Sequence, residues 1–503
     1  MAGKDLKRRL TTLDASFLYF EKPKEPLHIG GCMIYDGCVS RDEVMRLLSE
    51  RLHLVPRYRQ KVVFPPLGLA HPTWEDDPDF AVHNHVEELT LPAPGDDQVL
   101  SVFGGQVYAP MLDRDRPLWK MIVLQGRTDG NTAVIWKIHH AMVDGISGVE
   151  LTMVLHDLKP HPESPTSPPV SWQPKPIPDA LTLLQDAVRE RLTEVTHTWT
   201  DESFLFMRPK DMATRAQQMI TAATTSLPAL LQPAPRVPFN GPLSGERRFA
   251  WAEFSFAEIR AIRSVLGGTV NDVVLAIIAG GLGRYLRTHD YQTDGMELRA
   301  MCPVSMRLTD ERGALGNLVS MMFAPLFVGI IDPIERLAAE RVAMEQLKDQ
   351  DQAGGLYAMT TLVNRTPPVW QALAGQFTVP NMLLNTVSTN VPGPQIPLYL
   401  GGHKLLAWYP LGITSANLGL FNAILSYNQK LTIGATVDPK LMPDVWFYID
   451  SLQESLAELR LATERRATVA HPSPPVSEST TVRTAARRKV RGKSGKAVSS
   501  HAQ

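Results

Sequence analysis

Eight prolines fall between Pro160 and Pro178. Each one fixes its own φ and removes a backbone donor, so the stretch can neither pair into a sheet nor wind into a core helix. It reads as an extended connector. The connector divides the 503 residues into an N-terminal unit at 1–158 and a C-terminal unit of similar size at 246–467. Residues 159–245 are then the Pro-rich connector followed by linking helices, roughly 180–231. Residues 468–503 are rich in Pro, Ser and Thr and read as a disordered basic tail.

With 44% hydrophobic side chains the chain has material for a sizeable core in each unit, which excludes wholesale disorder. The formal net charge of -1 gives no reason to expect nucleic acid as a partner. That total conceals an asymmetry. The tail carries seven basic side chains against Glu478, a balance of +6, and leaves the body at -7. Cys32, Cys38 and Cys302 cannot close a disulfide framework and point to a reducing compartment. The first residues lack the apolar run of a secretory signal. The longest apolar stretch, Leu318 to Ile331, is interrupted by Ser320, Pro325 and Gly329 and falls short of the ~18 residues a membrane span needs. The expectation is a cytoplasmic protein with at most peripheral membrane contact.

Within the N-terminal unit, Leu27 to Tyr35 reads as a strand. Ser40 and Glu43 form a capping-box pattern ahead of a helix carrying Val44, Leu47, Leu48 and Leu52. Leu118–Leu124 and Ala133–Ile138 read as strands joined by a turn at Asp129-Gly130. A helix with Leu151, Val154, Leu155 and Leu158 on one face follows. In the C-terminal unit Thr269 is an N-cap with Asp272 at N3. A last helix from Pro443 stripes Val445, Ile449, Leu452, Leu456 and Leu459. The fold class is α/β with mixed sheets in two units.

Chemistry concentrates in the loop after Ala133–Ile138: His139-His140-Ala141-Met142-Val143-Asp144-Gly145. Paired histidines leaving a buried strand put imidazoles at a sheet edge, and histidine can take a proton near neutral pH. Asp144 can fix the loop by capping or by an ion pair, with Arg307 as a candidate partner, and Gly145 permits the turn. The bland alternative is a pair of satisfied loop histidines. Asn271, in the first turn of a helix, is placed where free N–H groups favour a developing anion. Asn390 to Pro394 ends a strand in a proline-stiffened turn, and Pro117-Leu118-Trp119 reads as a strand start. Gly492-Lys493-Ser494 lacks the upstream glycine of a phosphate loop. Asp450-Ser451-Leu452 lies in an amphipathic helix, and Gly280-Gly281-Leu282-Gly283 is explained by close packing. There is no G-x-S-x-G elbow and no metal-ligand spacing, so neither a serine acyl-enzyme nor a metal is expected.

His139 to Gly145 resembles the HHxxxDG signature of the CoA-dependent acyltransferase superfamily. The ordered set around it is similar to one branch, the bacterial wax ester synthase/diacylglycerol acyltransferases. That set is Leu13-Asp14-Ala15-Ser16-Phe17-Leu18, Asp115-Arg116-Pro117-Leu118-Trp119, Gly268-Thr269-Val270-Asn271-Asp272-Val273, Pro303-Val304-Ser305-Met306-Arg307, Gly316-Asn317 and Asn390-Val391-Pro392-Gly393-Pro394. The resemblance implies two chloramphenicol-acetyltransferase-like units with the active site at their interface. It makes His140 the general base, His139 a supporting residue and Asp144 a determinant of loop geometry. Asn271, Asn390 and Gly393 are its candidate substrate-binding residues.

The reaction it implies is direct transfer of a long-chain acyl group from acyl-CoA to the free hydroxyl of diacylglycerol, giving triacylglycerol, with acyl-CoA as substrate and no cofactor. Fatty alcohols, giving wax esters, are the alternative acceptors. A lipid substrate implies peripheral attachment to a membrane or lipid droplet, where the basic tail could assist. Two other classes remain open: a condensation-type enzyme using carrier-bound groups, which a donor test would separate, and a non-catalytic lipid-binding protein, which would bind without turnover.

Overall fold

The computed structural model describes residues 8–143, 145–161, 172–189, 233–305, 319–349 and 383–470. In the N-terminal half α1 (Thr12–Phe20) precedes β1 (His28–Tyr35) and α2 (Arg41–Arg51). A small hairpin of β2 (Gln60–Val63) and β3 (Thr73–Asp76) follows, then β4 (Val86–Thr90) and α3 (Asp97–Tyr108). The half closes with β5 (Trp119–Gln125), β6 (Thr132–His139) and α4 (Gly145–Leu155). Ser40 caps α2 by accepting from the Glu43 N–H at 3.3 Å. The β5–β6 turn uses Gly126 and Gly130 at φ +86° and +74°, where a Cβ is disfavoured.

The C-terminal half supplies β7 (Arg248–Ser255), α5 (Phe256–Leu266) and α6 (Val270–Thr288). It continues with β8 (Leu298–Ser305), β9 (Val319–Leu326), α7 (Pro333–Asp349) and β10 (Thr386–Pro392). The remaining elements are β11 (Tyr399–Leu400), β12 (His403–Leu411), β13 (Leu420–Tyr427), β14 (Lys430–Val437) and α8 (Val445–Ala470). Thr269 and Asp272 form the reciprocal capping box that opens α6, as expected. The apolar residues of α6 from Val273 to Leu286 are buried in the core beneath α8, whose stripe Val445, Ile449, Leu452, Leu456 and Leu459 faces it. Gly280 and Gly281 allow this contact, since a Cβ on Gly281 would stand 2.7 Å from Leu452 Cδ2; Gly283 packs on the segment after β9, where a Cβ would strike the Val328 carbonyl oxygen. Close packing therefore accounts for the glycine run.

Two six-stranded mixed sheets result, in the orders β11-β12-β1-β6-β5-β4 and β7-β14-β13-β10-β8-β9. β4 is parallel to β5, and β10 is parallel to both β8 and β13, while the other pairings are antiparallel. The sheets do not respect the boundary drawn from the sequence. Residues 399–411, assigned there to the C-terminal unit, form β11 and β12 of the first sheet. β12 pairs with β1 from Gly30↔Leu411 to Tyr35↔Leu405. Alternation of side chains identifies a strand but carries no information about which sheet it joins, so the proline connector could not reveal this crossover. Tyr409 of β12 stacks on Trp251 of β7 at 4.1 Å and 14°, tying the two sheets through a shared apolar cluster.

One local expectation is corrected. α4 ends at Leu155, Leu158 lies beyond it at 59% exposure, and Val154 is 38% exposed. The buried side is instead completed by Thr152 and His156, whose ring nitrogen Nε2 meets the Tyr35 hydroxyl at 2.7 Å. The apolar stretch 318–331 contributes an edge strand of the second sheet, with Met322, Ala324 and Leu326 turned into the core and Ile331 exposed. Of the linking helices, 180–189 is described as helix, and the rest lies outside the described residues. No single described helix is long and apolar enough to cross a membrane. The bent pair α5 and α6 passes on composition, and α6 is core.

Candidate active site

β6 sits in the middle of the first sheet, between β1 and β5, and all eight of its residues are buried. At its end the chain turns sharply. The His139 N–H donates to the Leu118 carbonyl and the His140 N–H to the Leu27 carbonyl, both at 2.9 Å, and the Met142 N–H closes on the His139 carbonyl at 2.9 Å. The two histidines therefore leave the strand with different surroundings.

His139 is 1% exposed. Its Nδ1 accepts from the Ala141 N–H at 3.1 Å, so in the neutral ring the proton sits on Nε2, 3.4 Å from Glu21 Oε1. Burial opposes ionisation of Glu21. His139, the Leu27 N–H at 3.0 Å and Arg114 at 2.8 Å together outweigh it and hold the carboxyl at about 2. Next on this face of the sheet come His28, the cross-strand partner of His139, and Lys137. The His28 ring nitrogen Nε2 meets the Tyr108 carbonyl at 2.8 Å, and the Lys137 ammonium donates to the Tyr108 and Pro110 carbonyls. Burial, aided by Lys120, lowers Lys137 to about 7, and burial pushes His28 well below its ordinary value.

His140 is only partly buried. Its ring lies flat on Phe17 of α1, centroids 4.1 Å apart and planes 12° apart. Ala141, Met142 and Val143 pack into the first core, against which Val391 of β10 also packs. Pleating turns Asn390 to the other face of β10. There its Nδ2 donates to Asn271 Oδ1 at 3.5 Å. The two asparagines singled out from the sequence thus meet each other. Gly393 presses on β13: its N–H donates to Ser426 Oγ at 3.3 Å, and a Cβ there would strike the Ser426 carbonyl oxygen. Asp144 and Arg307 lie outside the described residues.

Trp119 of the Pro-Leu-Trp motif is a buried strand-start residue, stacked on His85 at 4.4 Å and donating from Nε1 to the Tyr58 carbonyl at 2.8 Å. Sequence reasoning missed Glu21, Arg114, Phe17 as a ring partner, and Lys137. A lysine inside the otherwise apolar run Ala133–Ile138 was the one visible signal. Among the described residues no cluster of His, Cys, Asp and Glu could hold a metal ion.

Comparison with known proteins converges on one family. The model of the wax ester synthase/diacylglycerol acyltransferase catalytic domain matches residues 10–274, and that of the WS/DGAT C-terminal domain matches 315–460. A relative from Mycobacterium tuberculosis (strain H37Rv) that carries the name diacylglycerol O-acyltransferase is 30% identical over 478 residues, covering 92% of this chain and 98% of its own. A solved wax ester synthase/diacylglycerol acyltransferase from Marinobacter aquaeolei VT8 is 25% identical with a TM-score of 0.62, over 91% of this chain and all of that one. The trichothecene 15-O-acetyltransferase of Fusarium sporotrichioides shares the fold at 13% identity, with a TM-score of 0.58 over 90% of this chain and 95% of that one. With both family models matched in order and a 30% identical relative covered almost end to end, the chain belongs to the wax ester synthase/diacylglycerol acyltransferase family.

Proposed function

We propose that this chain moves a long-chain acyl group from acyl-CoA to the free hydroxyl of diacylglycerol, making triacylglycerol, with His140 as general base. The observation that carries the assignment is the contrast between the paired histidines. His139 is enclosed, bonded at Nδ1 and facing Glu21 with Nε2, whereas His140 is partly buried with its ring laid on Phe17. A base must be held in orientation and still be reached by a proton donor from outside.

The His140 imidazole takes the proton of the acceptor hydroxyl as that oxygen attacks the thioester carbonyl. The tetrahedral oxyanion collapses with loss of the C–S bond, and the imidazolium returns its proton to the departing CoA sulfur. No bond to the enzyme forms. Such a base contributes ~10²–10⁴ in rate, leaving the remainder to positioning and oxyanion stabilisation. Asn271 and Asn390 are the substrate-contacting residues of this reading, on the side of the second unit, and Asp144 holds the loop. The active site then lies between the units, and the lipid substrates require peripheral contact with a membrane or lipid-droplet surface.

The test is radiolabelled palmitoyl-CoA supplied with diacylglycerol or hexadecanol, with His140→Ala run beside each. Triacylglycerol formed by the wild type and reduced by ~10²-fold or more in a folded His140→Ala protein is the expected result. Wax ester as the dominant product moves the acceptor to fatty alcohols. Full activity in the variant removes His140 from the chemistry. Acyl transfer only from a carrier-bound donor would overturn the CoA reading.

A further inference from the structure

We infer that Glu21 is a positioning residue for the base: its buried carboxylate holds His140 along two routes, and its backbone N–H adds a third. The inference rests on His140 being the base.

The first support runs through the peptide of Leu27. Its N–H donates to Glu21 Oε1 at 3.0 Å, and its carbonyl accepts the His140 N–H at 2.9 Å. The second runs through His139. The Nε2 of its ring faces the same Oε1 at 3.4 Å, and its Nδ1 accepts the N–H of Ala141, the residue after the base. The third runs through α1. The Glu21 N–H caps that helix by donating to the Phe17 carbonyl at 3.2 Å, and the Phe17 ring is the surface on which His140 lies. Glu21 is thus fixed to the residues before, after and beneath the imidazole.

Arg114 fixes the carboxylate in turn. Its Nη2 and Nε donate to Glu21 Oε2 at 2.8 and 3.3 Å, and Nη2 also donates to the Leu18 carbonyl at 2.8 Å, joining α1 to the segment ahead of β5. The Glu21 side chain is 1% exposed, so water cannot replace a lost partner. Every group aimed at the two oxygens is a donor. Only a carboxylate satisfies that set, because the isosteric amide has one acceptor oxygen and turns its NH2 group on either Arg114 or the Leu27 and His139 donors. His139 is then the coupling piece between Glu21 and the loop, which gives the first histidine of the pair a defined task.

The experiment uses the full chain with palmitoyl-CoA and diacylglycerol, comparing wild type, Glu21→Gln, Arg114→Met, His139→Gln and the double variant Glu21→Gln/His139→Gln. Displacing a reacting group by about 1 Å can cost ~10²-fold. Glu21→Gln is therefore expected to lower kcat by about 10- to 100-fold per folded molecule, with KM for acyl-CoA within about twofold of wild type. Arg114→Met is expected to lower kcat less, again at constant KM. Because Glu21 acts partly through His139, the losses in the double variant should fall short of the product of the single losses.

A kcat within twofold of wild type in Glu21→Gln would overturn the inference. So would a loss that only tracks the folded fraction, a loss confined to KM, or losses that multiply. If Glu21→Gln does not fold, Arg114→Met decides, and an unchanged kcat there is equally fatal. An inactive wild type, by contrast, would defeat the acyltransferase reading itself.

Discussion

Glu340 lies on α7, fully buried beneath the second sheet, and its chemistry sets a pH dependence that can be measured. Oε1 accepts the Phe327 N–H at 2.9 Å. Burial dominates and pushes the carboxyl up to about 8 from 4.5, against the lowering influence of the Phe327 N–H and Arg336 and with help from Asp272 and Glu297. A folded-state value above the unfolded one means that the folded protein holds the proton more tightly. The carboxyl thus adds its full stability below about pH 4.5 and loses it as pH rises through 8. At ~1.4 kcal/mol per pKa unit the loss is about 3 kcal/mol by pH 7 and at most about 5 kcal/mol above pH 8.

Glu340→Gln keeps an acceptor for Phe327 and cannot ionise. It should match wild type near pH 4.5 and exceed it by about 3 kcal/mol at pH 7 and up to about 5 kcal/mol at pH 9. Urea unfolding of both proteins at each pH, followed by tryptophan fluorescence, measures the difference. Lys137, held at about 7 against an ordinary 10.5, adds stability as pH rises above about 7. Its contribution cancels because both proteins contain it. A gap that does not widen with pH, or a glutamine variant less stable at pH 9, would refute the reasoning.

Two further outcomes follow from close contacts. In Gly283→Ala the new methyl meets a backbone carbonyl, that of Val328, which cannot swing away. Overpacking at ~1–3 kcal/mol outweighs the ~1 kcal/mol gain in helix propensity, so the variant should be less stable by about 1 kcal/mol in urea unfolding, and a more stable protein would contradict the packing. Phe17→Leu removes the ring beneath His140, a contact worth about 0.5–1.5 kcal/mol. If the stack orients the base, kcat should drop about 2- to 10-fold at unchanged KM, and an unaltered kcat would reduce Phe17 to filler.

Local features were the legible part of the sequence. Caps such as Ser40 and Thr269 and the α8 stripe depend on neighbours within a turn or two, and the structure keeps them. The histidine loop was found because its residue types are unusual and contiguous. Glu21 was not. It is followed by Lys22-Pro23-Lys24, which reads as a solvated charge run, and its partners Arg114 and His139 are more than ninety residues away along the chain. The stripe extended to Val154 and Leu158 failed for a related reason: the helix stops at Leu155, and His156 takes the buried place through Tyr35, over a hundred residues upstream. Nothing local announces a partner at that separation.

The crossover strand has a consequence for how the chain can be made and cut. β1, which carries the Leu27 side of the histidine loop, is edged on one flank by β12. A fragment ending at residue 274, the span of the catalytic-domain match, lacks that strand. It would present the backbone groups of Gly30 to Tyr35 as an open sheet edge, the kind of surface that templates aggregation. During synthesis the first sheet likewise waits for residue 411 to emerge before its central strands are covered on both sides. The N-terminal half is therefore expected to be recovered intact only when the C-terminal half is supplied, in the same chain or as a complementing fragment.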